Sequence, residues 1–88
     1  MNDQNKSEFY FFDTAGTEKF WVNCGGAKEV AFTADSESCY IGLGDDDENR
    51  FPIPLITYDV LVLPTTDQRL YVLDADGRGS HIYVWVIR

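Results

Sequence analysis

Histidine, cysteine and basic side chains are all scarce in this chain, and each scarcity closes off a class of function. There is one histidine, His81, in 88 residues. A zinc site would need it beside Cys24, Cys39 and a fourth ligand, and the cysteines have no Cys-x-x-Cys spacing. No metal site is therefore expected. Two cysteines are too few for a disulfide framework. A bridge between them is geometrically open if their strands are neighbours; a pair of small buried thiols is the simpler expectation. Seven Lys and Arg stand against fifteen Asp and Glu, a net charge of −8. Such a surface repels phosphate backbones and anionic lipid, so no nucleic-acid partner and no membrane partner is expected. The same acidity suits solubility, or a partner with a basic surface.

Long apolar runs are missing as well. No stretch approaches the ~20 apolar residues of a membrane span. The polar opening "MNDQNKSE" has no apolar signal core, so export by the usual route is not expected. Catalytic patterns are equally sparse. Gly25–Gly26 is an isolated pair rather than a phosphate-binding loop. No nucleophile elbow occurs. A Cys–His pair would need an orienting group and an oxyanion hole, and nothing local supplies a helix N-terminus for one. The chain reads as non-enzymatic, with no catalytic residue and no cofactor. Four adjacent carboxylates, Asp45 to Glu48, attract a hard cation but also repel each other. Without calcium-loop spacing they read as a solvated loop. "DADGRG" (Asp74–Gly79) has the flavour of a calcium loop but lacks its third acidic ligand and distal glutamate. It reads as a hairpin turn.

What remains is a rhythm of short strands. No window keeps the apolar period of a helix for three turns. Strand-like runs recur instead at Glu8–Phe12, Lys19–Asn23, Lys28–Ala34, Cys39–Gly44, Tyr58–Pro64, Arg69–Asp74 and His81–Ile87. "FPIPL" (Phe51–Leu55) can be extended, but its prolines deny the ladder two donors and place it at an edge or outside the sheets. Asp76–Gly77 predicts a hairpin joining the last two strands. This spacing predicts an all-β domain of seven to eight strands, a small antiparallel sandwich (jelly-roll-like or Ig-like) or a barrel. Residues 8–88 form the expected domain. Residues 1–7 read as a flexible arm, or a strand lent to a neighbour.

Aromatics are abundant, at 15%. In "HIYVWVIR" a period of two sets Tyr83 and Trp85 opposite to Ile82, Val84 and Val86. Tyr71 likewise opposes Leu70 and Val72. If the valines face the core, the rings form a second apolar face. Tyr and Trp suit interfaces because they combine apolar area with a polar tip. Tyr71, Tyr83, Trp85 and Trp21 are the candidate interface residues.

The stretches "CGGAKEVAFTADSESCYIGLG" and "RLYVLDADGRGSHIYVWVIR" resemble small β-sandwich proteins of tailed-phage virions, the decoration, cement and head or tail accessory class. That resemblance implies a virion protein made in the host cytoplasm. It would bind other virion proteins or copies of itself, as a homo-oligomer or on a lattice. Two other readings compete: an acidic inhibitor mimicking nucleic acid toward a basic host enzyme, and a carbohydrate-binding module stacking sugars on Trp21 or Trp85.

Overall fold

The computed structural model describes residues 7–43, 49–55, 59–64 and 69–88. Eight strands occur there: β1 (Glu8–Asp13), β2 (Phe20–Val22), β3 (Glu29–Ala34), β4 (Cys39–Leu43), β5 (Arg50–Pro52), β6 (Leu61–Pro64), β7 (Leu70–Asp74) and β8 (His81–Ile87). They form two four-stranded sheets. Sheet A has the order β1-β8-β3-β6 and sheet B the order β2-β7-β4-β5. Every strand pair is antiparallel. The all-β sandwich expected from strand spacing is the observed fold, in its jelly-roll form.

The chain changes sheet at every connection between these strands except that from β4 to β5. This corrects one expectation. β7 and β8 are not a hairpin: β7 pairs with β2 and β4, while β8 pairs with β1 and β3. The turn signal itself is real, since Gly77 and Gly79 take positive φ angles of 64° and 81°. A tight turn reverses the chain but does not dictate that the two strands pair. Here the buried Asp74 carboxylate organises the crossing. It accepts the hydroxyls of Ser38 and Ser80, both at 2.5 Å, and the backbone N–H groups of Asp76 at 3.1 Å and Arg78 at 3.0 Å. Asp76, Arg78 and Ser80 belong to the loop and Ser38 to the β3–β4 connection, so the carboxylate ties the loop to its neighbour and fixes it as a bridge between layers.

The core lies between the sheets and follows the period of two. Ile82, Val84 and Val86 of β8 point inward and are fully buried, with Val30, Phe32 and Ala34 of β3 beside them. Val22, Ile41, Leu70 and Val72 complete the core from sheet B. Cys24 and Cys39 are buried in this core as thiols, with no disulfide between them. Burial pushes both thiols above their ordinary pKa. β5 sits at the edge of sheet B, where Pro52 needs no second ladder partner. β6 begins at Leu61 rather than at Tyr58, which lies outside the described residues. So do residues 1–6 of the expected arm and the acidic run Asp45–Glu48.

Candidate functional site

With the even-numbered residues of β8 committed to the core, its odd-numbered residues face out. Register then builds a row across sheet A: Phe9 opposite Trp85, Trp85 opposite Ala31, Ala31 opposite Val62. The next row sets Phe11 opposite Tyr83 and Tyr83 opposite Thr33. The rings touch. Centroids lie 5.4 Å apart for Phe9 and Trp85, 5.3 Å for Phe11 and Tyr83, and 6.5 Å for Tyr83 and Trp85. They also meet solvent: Phe9 is 55% exposed, Phe11 49%, Val62 48% and Trp85 36%. Single exposed apolar residues are ordinary, but a contiguous aromatic patch marks a contact surface.

The two ends of this face differ in charge. At one end His81 lies between two carboxylates. Asp35 accepts the His81 backbone N–H at 2.8 Å and pairs with Nδ1 at 2.6 Å, and Asp13 lies 3.8 Å from Nε2. The Asp35 hydrogen bond raises the His81 pKa. Partial burial pushes the Asp35 carboxyl upward, yet its bonds to His81 outweigh that and hold it below the ordinary value. At the other end Arg88 reaches the Gly25 carbonyl and the Glu8 carboxylate, while Lys28 and Glu29 are exposed beside it.

Sheet B presents a different surface. Trp21, Tyr71, Gly42 and Arg50 form one row across its four strands. Tyr71 is fully buried although it points away from the core. Its ring lies across Gly42, where any Cβ would overlap it. Trp21 meets the Tyr71 ring edge-on at 5.2 Å. Cations complete the surface: Lys19 lies 4.6 Å from the Tyr71 ring centroid, Arg69 4.0 Å from that of Trp21 and Arg50 5.6 Å from that of Tyr40. The four aromatic residues singled out in the sequence are thus divided. Tyr83 and Trp85 share the face of sheet A, and Trp21 and Tyr71 share that of sheet B. Phe9 and Phe11, absent from that set, join the first pair. Their signal was present in the alternation of "EFYFF", read in register with the last strand.

One other polar cluster, around Asp74, is turned inward on the fold. All the hydrogen bonds at Asp74 run to its own loop and neighbours, and they outweigh the burial that pushes its carboxyl upward, so its pKa is lowered. That is a structural carboxylate. Among the described residues no group of three His, Cys, Asp or Glu side chains is placed to hold a metal ion.

Neither a protein-family model nor a curated protein matches the sequence. Solved structures do resemble the fold. The cupin-2 domain of an XRE-family transcriptional regulator from Enterobacter cloacae has a TM-score of 0.65 at 10% identity, over 99% of this chain and 86% of that one. The plu4264 protein of Photorhabdus luminescens has 0.59 at 15% identity, over 93% of this chain and 61% of its own. The hydroxypropylphosphonic acid epoxidase of S. wedmorenis, solved with fosfomycin, has 0.56 at 14%, over 91% and 42%. The chain therefore spans less than two thirds of the latter two proteins. At these identities the likeness shows a cupin-like fold alone.

It also corrects the resemblance to phage virion proteins. The similar structures include a cupin-2 domain of a bacterial transcriptional regulator and an epoxidase, not virion components. The virion role and location fall with it. Acidity, strand spacing and an apolar last strand are shared by many small two-sheet folds, so they could not separate one family from another. One neighbour is an enzyme and another is a domain of a regulator, so the fold accommodates both roles.

Proposed function

We propose that this chain is a non-catalytic domain of cupin-like fold that associates with a second copy of itself through the outer face of sheet A. The observation that carries this reading is the continuous row Phe9–Trp85–Ala31–Val62 with Phe11 and Tyr83 beside it. From their exposure, Phe9, Phe11 and Trp85 present on the order of 300 Å² of aromatic surface. Val60, Val62 and Tyr83 extend this toward the apolar centre of a standard interface, which buries about 800 Å² per partner.

The charge at the two ends favours a copy of the same chain. A two-fold axis lying in the interface and running across the strands reverses one face on the other. It sets the Asp13–Asp35 end of one copy against the Lys28–Arg88 end of its partner. There Glu8 and Glu29 balance the two cations, so an acidic end meets a neutral one and like charges do not stack. The non-catalytic part is supported by the residues themselves. The one histidine is tied to Asp35 at the rim, both thiols are buried with raised pKa, and the inward-facing side chains of the core cluster are apolar.

Sedimentation velocity across a wide concentration range tests the reading. A dimer should form and should dissociate on Trp85→Ser with secondary structure unchanged. A monomer at every attainable concentration would overturn the proposal.

A further inference from the structure

Sheet A ends on β1 and β6, and sheet B on β2 and β5. Three of these edges are blunted. β2 and β5 have three residues each, β5 contains Pro52, and β6 ends on Pro64. β1 differs: Glu8–Asp13 has six residues and no proline, lysine or arginine, the devices that keep an edge from pairing. Its open backbone groups follow from the ladder. The Thr14 N–H donates to the Ser80 carbonyl at 2.8 Å, one step past the Asp13–His81 pair. Hydrogen-bonded pairs alternate along an antiparallel ladder, so Glu8, Tyr10 and Phe12 direct their N–H and C=O groups to β8. Those of Phe9, Phe11 and Asp13 point to the open side. Among the described residues none of these groups has a partner there.

We propose that this edge pairs antiparallel with β1 of another copy, Phe9 opposite Phe11, and so joins two sheet-A dimers into a tetramer. The occupant is a second copy because the strand is complementary to itself. A two-fold axis through Tyr10, normal to the sheet, sets Phe9 of each copy opposite Phe11 of the other, and these residues exchange both backbone bonds. The same axis sets Glu8 opposite Phe12 and Asp13 opposite Ser7, so carboxylates do not face one another. The outward row Val62–Ala31–Trp85–Phe9 then runs on through Phe11, Tyr83 and Thr33 of the second copy. The other edges are too short or too rich in proline to serve. The inference rests on the face-to-face pairing of sheet A. The axis of that pairing runs across the strands, so it stacks β1 of one copy over β1 of the other on the same side. A second such dimer meets both edges at once, and contact at two seams binds much more tightly than one. With the face axis between the Phe9 and Phe11 rows, it meets the seam axis at Tyr10, and two-folds crossing at right angles close the assembly as a tetramer.

Sedimentation velocity and a mixed-label NMR sample test this together. Wild-type protein should pass from dimer to tetramer as concentration rises. In a mixture of ¹³C-labelled and unlabelled chains, a filtered NOE should connect the Tyr10 Hα protons of two copies, which a non-hydrogen-bonded pair brings close. Phe11→Pro and Phe11→Ala both lose the ring, but only the first loses the edge donor. The tetramer of Phe11→Pro should be weaker than that of Phe11→Ala by about tenfold or more. If the proline variant fails to fold, the wild-type NOE decides. A wild-type chain that stops at the dimer, without the Tyr10 contact, would overturn the edge pairing and leave the face contact standing. Equal tetramer affinity in the two variants would also overturn the edge pairing. A Tyr10 contact that persists in Trp85→Ser would uphold the edge pairing and overturn the face contact on which the tetramer rests. A monomer throughout would overturn both.

Discussion

The two sheets of this molecule share one core yet turn opposite kinds of surface to their surroundings. On sheet A the rings of Phe9, Phe11 and Trp85 stand open, and charge is kept to the strand ends. On sheet B the outward Tyr71 is roofed by Lys19 and Trp21, and Trp21 in turn by Arg69. Aromatic content is similar; what differs is whether the sequence supplies a long cationic side chain one row away to cover the ring. Lys and Arg stems lay apolar carbon over a ring while the charged head faces water. Sheet B therefore completes its outer layer from within the chain. Sheet A leaves its rings open to solvent.

The largest effect that separates the two faces should come from truncating one ring on each. Tyr71→Ala removes a fully buried ring and should cost about 3–5 kcal/mol of stability. Tyr83→Ala removes a half-exposed one and should cost about 1 kcal/mol. Urea unfolding of both variants measures the difference. Equal losses would mean that the two outer faces are equally part of the fold, and the contrast between them would fail.

Next comes a comparison within β8. Val84→Ser places a hydroxyl in the core and should cost about 3 kcal/mol. Trp85→Ser changes the adjacent residue on the outer face and should cost far less, while weakening self-association. If both changes unfold the chain alike, β8 is a strand with two structural faces, and its outer rings need no partner.

Gly42→Ala probes how tightly sheet B is closed. The added methyl overlaps the Tyr71 ring, which has Lys19 and Trp21 above it and little room to rise. Overpacking of this kind costs about 1–3 kcal/mol. The double variant Gly42→Ala with Lys19→Ala should lose less than the sum of its parts, because the ring then has somewhere to go. Strict additivity would show that Lys19 is not the lid on Tyr71.

Much of this was legible in the sequence, and the line between legible and hidden falls at sheet assignment. Alternation gave the facing of Ile82, Val84 and Val86 against Tyr83 and Trp85, because a period of two is a local property. The prolines of "FPIPL" marked an edge strand for an equally local reason, their missing N–H donors. Pairing is not local. "ADGRGS" predicted a hairpin, yet it carries the chain from sheet B to sheet A, because Asp74 points inward and gathers Ser38 and Ser80 around it. The same limit hid the two surfaces. Whether Arg69 covers Trp21, or Phe9 adjoins Trp85, depends on which strands lie side by side, and strand spacing alone leaves that open. The phage resemblance failed there too, since it rested on rhythm and charge with no knowledge of strand order.

The smallest expected effect lies at the acidic end of sheet A and tests whether the open face is also the one sensitive to pH near neutrality. The one histidine of the chain, His81, lies at the rim of sheet A, and none lies on sheet B. Its hydrogen bond to Asp35 favours the charged ring and raises its pKa above the unfolded value of about 6.5. The stability this adds is fully present below that unfolded value and is lost as pH rises through the folded one. Asp35 works in the opposite sense. Its folded pKa is lowered, so its contribution is present above the unfolded value of about 3.9 and is lost as pH falls through the folded value. The pair therefore supports this rim between the two transitions. An NMR titration of the His81 ring should give a midpoint above that of an unstructured histidine, and Asp35→Asn should lower it. The melting temperature of the wild-type chain should fall slightly from pH 6 to pH 8 by about the amount that His81→Gln removes. A midpoint at or below the unstructured value would dissolve the His81–Asp35 pair, and with it any difference in pH response between the two faces.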